Sequence, residues 1–390
     1  MDESYTSEKI GHDTVLMYSG PRPKTLDELL EVMEVDLDKY QVEKWIANKW
    51  DGQLKGGTPI PLYQVKVWLT PLVLEPIKPV VPQVQLNIPD LPKKSGRKAK
   101  IRKALLLTDL HVGFRRNIDT GELTPYHDRE ALDVALQIAS RFPFDEIIFG
   151  GDQLDLPEWT TKYNKGPEFY FTTKPSILEF GWWLSRFMHT APGARIRILE
   201  GNHEERLTKM MDNHLIAAYG IPQGREVIHE VFDFGKILGL KDDEWIVGYP
   251  NNAYWLTPDI KIVHGNRTSS VPGLLPWKML QGMDHSVIYG HNHKMEVAHK
   301  TVVSESGVKV LTAGSPGCLC RLDYVVPGHS HGQQWQQGIA VIYFTSTDLV
   351  RLELIPIHNG RAFYEGYEFS STEGVHDLAS EFLFKSMNSG

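Results

Sequence analysis

Five short apolar runs in this chain stop at residues that can bind a cation, and they do so one after another. "ALLLTDLH" ends at Asp109 and His111, "IIFGGD" at Asp152, and "RILEGNHE" at Asn202 and His203. "IKIVHG" ends at His264, and "VIYGHNH" at His291 and His293. In open α/β sheets, ligand sites gather beyond the carboxyl ends of the strands. One such ending means little, but five in order are not a chance pattern. The runs alternate with longer amphipathic stretches, which is the texture of α/β architecture. Strands are predicted at "KALLLTD", "DEIIFGGD", "RIRILEGN", "IKIVHG", "SVIYGH", "VKVLTAG", "IAVIYF" and "VRLELIPI", and helices over 128–141 and 175–189.

The spacing within the endings carries its own expectation. Residues i and i+2 of an extended chain point the same way. Asp109 and His111 are therefore expected to claw one cation, and His291 and His293 to point together at a pair. Glycines before Asp152, Asn202 and His291 let the backbone turn sharply and approach a site closely. The donors are oxygen and imidazole nitrogen, with no sulfur, which suits manganese, iron or zinc better than copper(I) or an iron–sulfur cluster. A second copy of the last pattern, "VPGHSHG", places His329 and His331 in the same order. It follows Val-Val-Pro, has glycine on both sides and leads into "GQQWQQG". It reads as a surface turn, with a substrate-facing loop as the alternative. His127, His214, His229 and His358 lack such settings and read as structural or solvated.

In this order the motifs D-x-H, G-D, G-N-H-E, H and G-H-x-H resemble those of the calcineurin-like metallophosphoesterase superfamily, over roughly residues 101–357. The resemblance implies an α/β fold, a four-layer β-sandwich of two mixed sheets flanked by helices, with two divalent metal ions at one end. Manganese is the first expectation for those ions, with iron or zinc as alternatives. By motif, Asp109, His111 and His293 are expected to hold the first ion, and Asn202, His264 and His291 the second. Asp152 is expected to bridge them, and His203 to stand beside the scissile phosphate without binding metal. Catalysis is thus expected of His203, Asp152 and Asn202, and no ligand position is missing. Glu204 reads as an ordinary acid at a helix start, with orientation of His203 as the alternative. Arg115, Arg116 and Arg206 follow the motifs directly; each can grip a phosphate with its planar fork or be solvated. "EWTTKYNKGPEFYF" brings Trp159, Tyr163, Tyr170 and Phe171 after the second motif, either as base-stacking aromatics or as core. Cys318 and Cys320 read as reduced thiols, not ligands.

Composition narrows the rest. The chain has 390 residues, 41% of them hydrophobic and 23% charged, enough to bury a sizeable core. A net charge of −8 excludes a generally basic nucleic-acid binder, yet "KKSGRKAKIRK" at 93–103 concentrates seven bases without an acid. No apolar run reaches the roughly 18 residues of a membrane span. The polar start lacks the features of a secretory signal, and only two cysteines are present, so a cytoplasmic setting is expected (a host cytoplasm if the chain is phage-encoded).

The expected organisation is a flexible arm at 1–23, a small helical unit at 24–70, a proline-rich and basic linker at 71–100, the metallophosphoesterase domain at 101–357 and a C-terminal extension at 358–390. Within the small unit, Thr25 and Glu28 form a capping box ahead of Leu26, Leu29, Leu30 and Met33. A second helix is expected after Asp38 and Gln41, carrying Val42, Trp45, Ile46 and Trp50. With the strand "LYQVKVWL" this outlines a winged helix-turn-helix, or else a small cap that only packs.

The leading functional expectation is a phosphodiesterase or nuclease acting on DNA, similar to SbcD-type repair nucleases and to phosphoesterases carried in bacteriophage genomes. The alternatives are a small-molecule phosphatase or cyclic-nucleotide phosphodiesterase, and a non-catalytic scaffold of the same fold. The oligomeric state is left open.

Overall fold

The computed structural model describes residues 2–11, 13–52, 59–72, 100–160, 165–214, 233–241, 243–305, 307–329 and 334–388. Two units separate, Met1–Ser95 and Gly96–Gly390. Most of the proline-rich linker and of the basic segment lies outside the described residues, as do Tyr163, His229 and His331.

In the first unit, β1 (Ser4–Ile10), β2 (Asp13–Gly20), α1 (Leu26–Val32), β3 (Tyr40–Gly52) and β4 (Ile60–Pro71) build one antiparallel sheet in the order β1-β2-β4-β3. The Thr25 hydroxyl accepts the Glu28 N–H at 3.2 Å, and the Glu28 carboxylate accepts the Thr25 N–H at 2.7 Å, so the capping box forms. Leu29 and Leu30 then bury against Leu16, Tyr18, Val65 and Val67.

The rest of this region differs from expectation. The expected arm holds β1 and β2, and the expected second helix is β3. A bulge explains the error. The register shifts between Val42 and Lys44, so Val42 opposes Leu69 while Trp45 opposes Val67. The extra residue puts Val42 and Trp45 on one face at a spacing of three, which imitates a helix turn. With one helix on a sheet, the helix-turn-helix is not formed.

The second unit runs through β5 (Arg102–Leu107), β6 (Phe114–Arg116), β7 (Leu123–Pro125), α2 (Arg129–Arg141), β8 (Glu146–Phe149), α3 (Thr173–Thr190), β9 (Arg195–Leu199), α4 (Glu205–His214) and α5 (Phe234–Ile237). It continues with β10 (Trp245–Ile246), β11 (Tyr254–Thr257), β12 (Ile260–Val263), α6 (Leu274–Gln281), β13 (Ser286–Tyr289), β14 (Met295–Ser304) and β15 (Gly307–Pro316). It closes with β16 (Gly338–Phe344), β17 (Leu349–Pro356), β18 (Arg361–Tyr364), β19 (Tyr367–Ser370) and α7 (Val375–Asn388). All eight strands and both helices expected from the sequence are present. They form a mixed sheet β10-β9-β8-β5-β16-β17 and a second mixed sheet β11-β12-β13-β15-β14.

A strand that is apolar at every position needs cover on both faces. Leu105, Leu107, Ile147 and Phe149 pack on Leu132 of α2 and on Phe180 and Trp183 of α3. The alternate residues Ala104, Leu106 and Ile148 pack on Ile260, Ile262 and Ile288 of the other sheet. Leu275 and Leu280 of α6 cover Val287 and Leu311 on its far side. Both β5, β8, β9 and β12, β13 run parallel within their sheets, so each set delivers its carboxyl ends to one edge. Among the described residues no helix is long and apolar enough to cross a membrane.

Residues 358–388 are built into this unit and do not extend from it. Gln137 donates to Ser370 O at 2.8 Å, Asp133 accepts the Thr372 N–H at 2.8 Å, and Phe382 stacks on Trp182. A buried charge cluster ties the helices together. Glu179 of α3 accepts from Arg129 of α2 at 2.7 and 2.8 Å and meets His127 at 2.5 Å, while Arg129 also donates to His376 O and the Ser380 hydroxyl. Burial alone would raise the Glu179 carboxyl, but His127 and Arg129 outweigh it and hold it down at about 2.

Glu179→Gln leaves Arg129 buried without its counter-charge and is expected to cost about 3–5 kcal/mol near neutral pH. A depressed folded-state carboxyl contributes its stability above the unfolded value and loses it as pH falls through the folded value. The gap between wild type and variant in urea unfolding should therefore narrow between pH 4.5 and about 2. A gap that stays constant through that window contradicts the charge assignment.

Candidate metal centre

The five endings leave the parallel strands as loops that are zipped together by backbone. Asp109 N–H donates to Gly151 O at 3.1 Å, His111 N–H to Asp152 O at 3.0 Å and Val112 N–H to Gln153 O at 2.7 Å. The side chains do not point together because the chain is extended, as the spacing suggested. Asp109, His111, Asp152, His291 and His293 all have positive φ, at 53°, 49°, 51°, 68° and 54°. Such backbone is uncommon outside glycine and costs of order 1–3 kcal/mol per residue. The pairs share a direction through left-handed turns held by the surrounding loops. The glycines act as expected. A Cβ on Gly151 would overlap the His264 ring, and one on Gly290 would lie 2.7 Å from Asp109 Oδ2.

Two donor groups result. Asp109, His111 and His293 offer ligand atoms within 4.8 Å of one another, and so do Asp152, His264 and His291. His293 Nε2 lies 3.1 Å from Asp109 Oδ1, and His111 Nε2 lies 3.1 Å from His293 Nε2. Two imidazole nitrogens face to face need a cation or a proton between them. In the second group His264 Nε2 lies 3.1 Å from Asp152 Oδ2 and 3.2 Å from Asn202 Oδ1. Asp152 Oδ2 is also 4.0 Å from His111 Nε2, so this one oxygen stands between the two groups. Every residue expected as a ligand is thus brought to one place. The oxygen and nitrogen donors, buried and convergent, fit divalent ions.

Electrostatics bind the groups. Burial opposes the charged form of His264, but the Asp152 carboxylate outweighs it and holds this imidazole up at about 9. Burial and the neighbouring His264 push His291 down to about 4. Asp152 and Asp109 stay below the usual carboxylate range despite burial, the first beside His203 and His264, the second beside His293.

Two acids behind the ligands were missed or misread from sequence. Asp155 Oδ1 accepts from His111 Nδ1 at 2.8 Å and lies 3.3 Å from His203 Nδ1. This fixes the tautomer and aim of a ligand imidazole. The one signal for it was a second acid three residues after Asp152 in "GGDQLD". Glu204 is not an ordinary helix-start acid and does not orient His203. At 2% exposure it accepts the N–H groups of Asp152, Leu154 and Gly201 at 3.2, 2.8 and 2.8 Å, joining the second and third loops. Burial first, then the Asp152 charge, pushes its carboxyl up to about 7.

His203 donates from Nδ1 to Asp155 O at 2.7 Å, which turns Nε2 toward Arg206 at 2.8 Å. Burial and Arg206 keep its pKa low. Arg206 is itself pinned to Asp155 O at 2.6 Å, so it is part of the site and not a solvated arginine. Arg115 is exposed, and Arg116 lies over the Phe171 ring at 5.5 Å.

Two clefts border His291. One, of about 330 Å³, is lined by Trp159, Asn202, Arg206, Lys209, Tyr249 and Asn266. The other, of about 350 Å³, is lined by residues 268–270, Asn292, Lys294 and Trp335. Tyr170 and Phe171 are exposed, so they are not core. His329 falls in none of the His/Cys/Asp/Glu clusters among the described residues. It stacks on Trp335 at 3.9 Å, and Trp335 packs on His293 at 4.1 Å, so this histidine backs the wall of the site. Cys318 and Cys320 are buried free thiols, yet a His293 nitrogen lies within 4.8 Å of both sulfurs, nearer the ligands than the sequence suggested.

No protein-family model matches the chain, and no curated protein matches it significantly. Among solved structures, the purple acid phosphatase PPD1 from yellow lupin (Lupinus luteus) seeds is similar at 8% identity, with 96% of this chain and 74% of that chain covered and a TM-score of 0.33. A score that low carries no weight.

If both groups bind, manganese-loaded protein should approach two metal equivalents by elemental analysis. Asp152→Asn should lose much of both, because one oxygen serves the two groups. Asp155→Asn should weaken binding about 10–100-fold without abolishing it. Retention of full metal by Asp152→Asn would refute the shared position.

Proposed function

We propose that this chain is a dinuclear metal-dependent phosphoester hydrolase acting on phosphodiesters, with nucleic acid, DNA first, as its substrate class. The observation that carries the reading is the convergence of two oxygen and nitrogen donor groups on Asp152 Oδ2, with His203 and Arg206 alongside. Asp109, His111 and His293 would hold one ion and Asn202, His264 and His291 the other, with Asp152 shared between them. Manganese suits these donors, as do iron and zinc. Two such ions, when bound, would supply positive charge to phosphoryl oxygens and make water more acidic.

The chain's own residues do the rest. Asn202 is neutral, so its amide group can also face a phosphate. The Asp155 carbonyl fixes the His203 tautomer and turns Nε2 inward. His203, once protonated there, gives a proton to the departing oxygen, and the Arg206 guanidinium beside it stabilises the same charge. The two clefts favour a diester over a monoester: a diester carries a group on each side of its phosphorus, and each cleft offers an aromatic wall, Trp159 and Tyr249 with Arg206 and Lys209 in the first and Trp335 in the second.

With manganese supplied, bis-p-nitrophenyl phosphate should be cleaved in preference to p-nitrophenyl phosphate, and single-stranded DNA should be cleaved too. Preference for the monoester would move the reading to a small-molecule phosphatase, and no turnover of any of the three to a scaffold. His203→Asn should retain both ions and slow DNA cleavage about 10²–10⁴-fold. The loss should be smaller for p-nitrophenolate, which departs with little help. Equal losses on both substrates would remove the leaving-group role.

A further inference from the structure

The loop at 265–273, "GNRTSSVPG", follows the donor His264 directly and separates the two clefts: Asn266 lines one, and residues 268–270 line the other. Its ends turn at Gly265 and Gly273, with φ of 93° and 76°. Its backbone is fastened from beneath by one strip of chain. Asn292 Oδ1 accepts the Ser269 N–H at 3.2 Å, Lys294 Nζ donates to Ser269 O at 2.6 Å, and Glu296 Oε2 accepts the Gly273 N–H at 2.9 Å. Glu296 is braced in turn by Tyr289 at 2.8 Å and Asn292 at 2.5 Å. These anchors alternate with His291 and His293, so the strip that carries two donors also carries the loop's foundation. Asn292, Lys294 and Glu296 are buried at 4%, 8% and 6% exposure.

On this fixed base Arg267 is exposed, and among the described residues it makes no hydrogen bond or ion pair. Buried polar anchors hold a loop rigid at a cost in desolvation. Here they hold the backbone of the loop that carries Arg267, three residues from His264 and, along the chain, between Asn266 of one cleft and Thr268 of the other, the two clefts sharing His291. Lys294, the cation that lines the second cleft, is spent on Ser269 O and is buried. A planar fork with free donors matches a phosphate bidentately. On the proposed reading the donor groups serve the reacting phosphate, which leaves Arg267 for another.

We infer that Arg267 is a subsite for a second phosphate, the one next to the scissile phosphate in a polynucleotide or in a nucleoside bisphosphate. The inference rests on the reading of the metal centre as a phosphodiesterase, and it names what distinguishes a preferred substrate there.

Direct binding separates the subsite from turnover. Manganese-loaded protein is titrated calorimetrically with thymidine 3′,5′-bisphosphate and with inorganic phosphate. The bisphosphate should bind at least about tenfold more tightly, the equivalent of one charge-assisted contact. Arg267→Ala should erase that margin while leaving inorganic phosphate affinity and metal content unchanged, and Arg267→Lys should restore part of it. On hydrolysis, Arg267→Ala should raise KM for single-stranded DNA about tenfold and leave kcat/KM for bis-p-nitrophenyl phosphate within about twofold. No wild-type preference for the bisphosphate, or equal weakening of both ligands in the variant, overturns the subsite. Normal binding of both ligands without turnover of any ester instead overturns the hydrolase reading and leaves the subsite standing.

Discussion

Four carboxylates share one buried volume at the carboxyl ends of the central strands: Asp109, Asp152, Asp155 and Glu204, none more than 2% exposed. Charge in such a place is tolerated only when it is paired and hydrogen-bonded. Much of the second unit can be read as the means of meeting that demand. Asp109 takes the His291 N–H with both oxygens at 3.0 and 2.9 Å, and Asp152 takes the His203 N–H at 2.9 Å. Imidazoles from four different loops supply the remaining partners. Asp152 keeps one oxygen turned inward, between His264 and His111, where among the described residues no backbone N–H donates to it. That oxygen is where positive charge is most needed.

The demand also explains the backbone. Bringing five side chains onto one point from loops between two sheets requires left-handed turns at Asp109, His111, Asp152, His291 and His293. Such strain persists only where the surroundings over-determine it. The surroundings here are the hydrogen bonds between the first two loops, the three N–H groups gathered by Glu204, and the packed strands beneath. Sheet packing thus sets the stage on which the strained loops are affordable. The same economy appears after β13, where alternate residues serve the donors and the neighbouring loop.

The legibility of the chain differed between its two units for a physical reason. In the second unit β8, β13, β16 and the last four residues of β5 are buried on both faces, so their apolar runs are continuous, and those of β5, β8 and β13 end abruptly where the polar site begins. Period and punctuation therefore agree in those strands, and the eight strands, the helices α2 and α3 and the convergence of the strand-end side chains could be read. In the first unit β3 is mostly exposed along its length, and its bulge replaces a period of two with a spacing of three. A strand with that pattern imitates an amphipathic helix, and only its pairing with β4 decides otherwise.

Within the site the division falls along the same line. Side-chain chemistry and order along the chain by themselves determined which residues would meet: strand-end position, donor type and adjacent glycines are local properties. What the second row of residues does was decided by tertiary structure alone. Glu204 has the sequence context of a helix-start acid, yet folding buries it against a hydrogen-bond partner 50 residues away along the chain. Asp155 becomes a partner of His111 and His203 because two loops are zipped together, and the loop bearing Arg267 is held by residues that look like mere spacers between histidines. A donor advertises itself by its own chemistry. A residue that acts by satisfying someone else's backbone N–H or imidazole can be recognised only once that partner has been brought beside it.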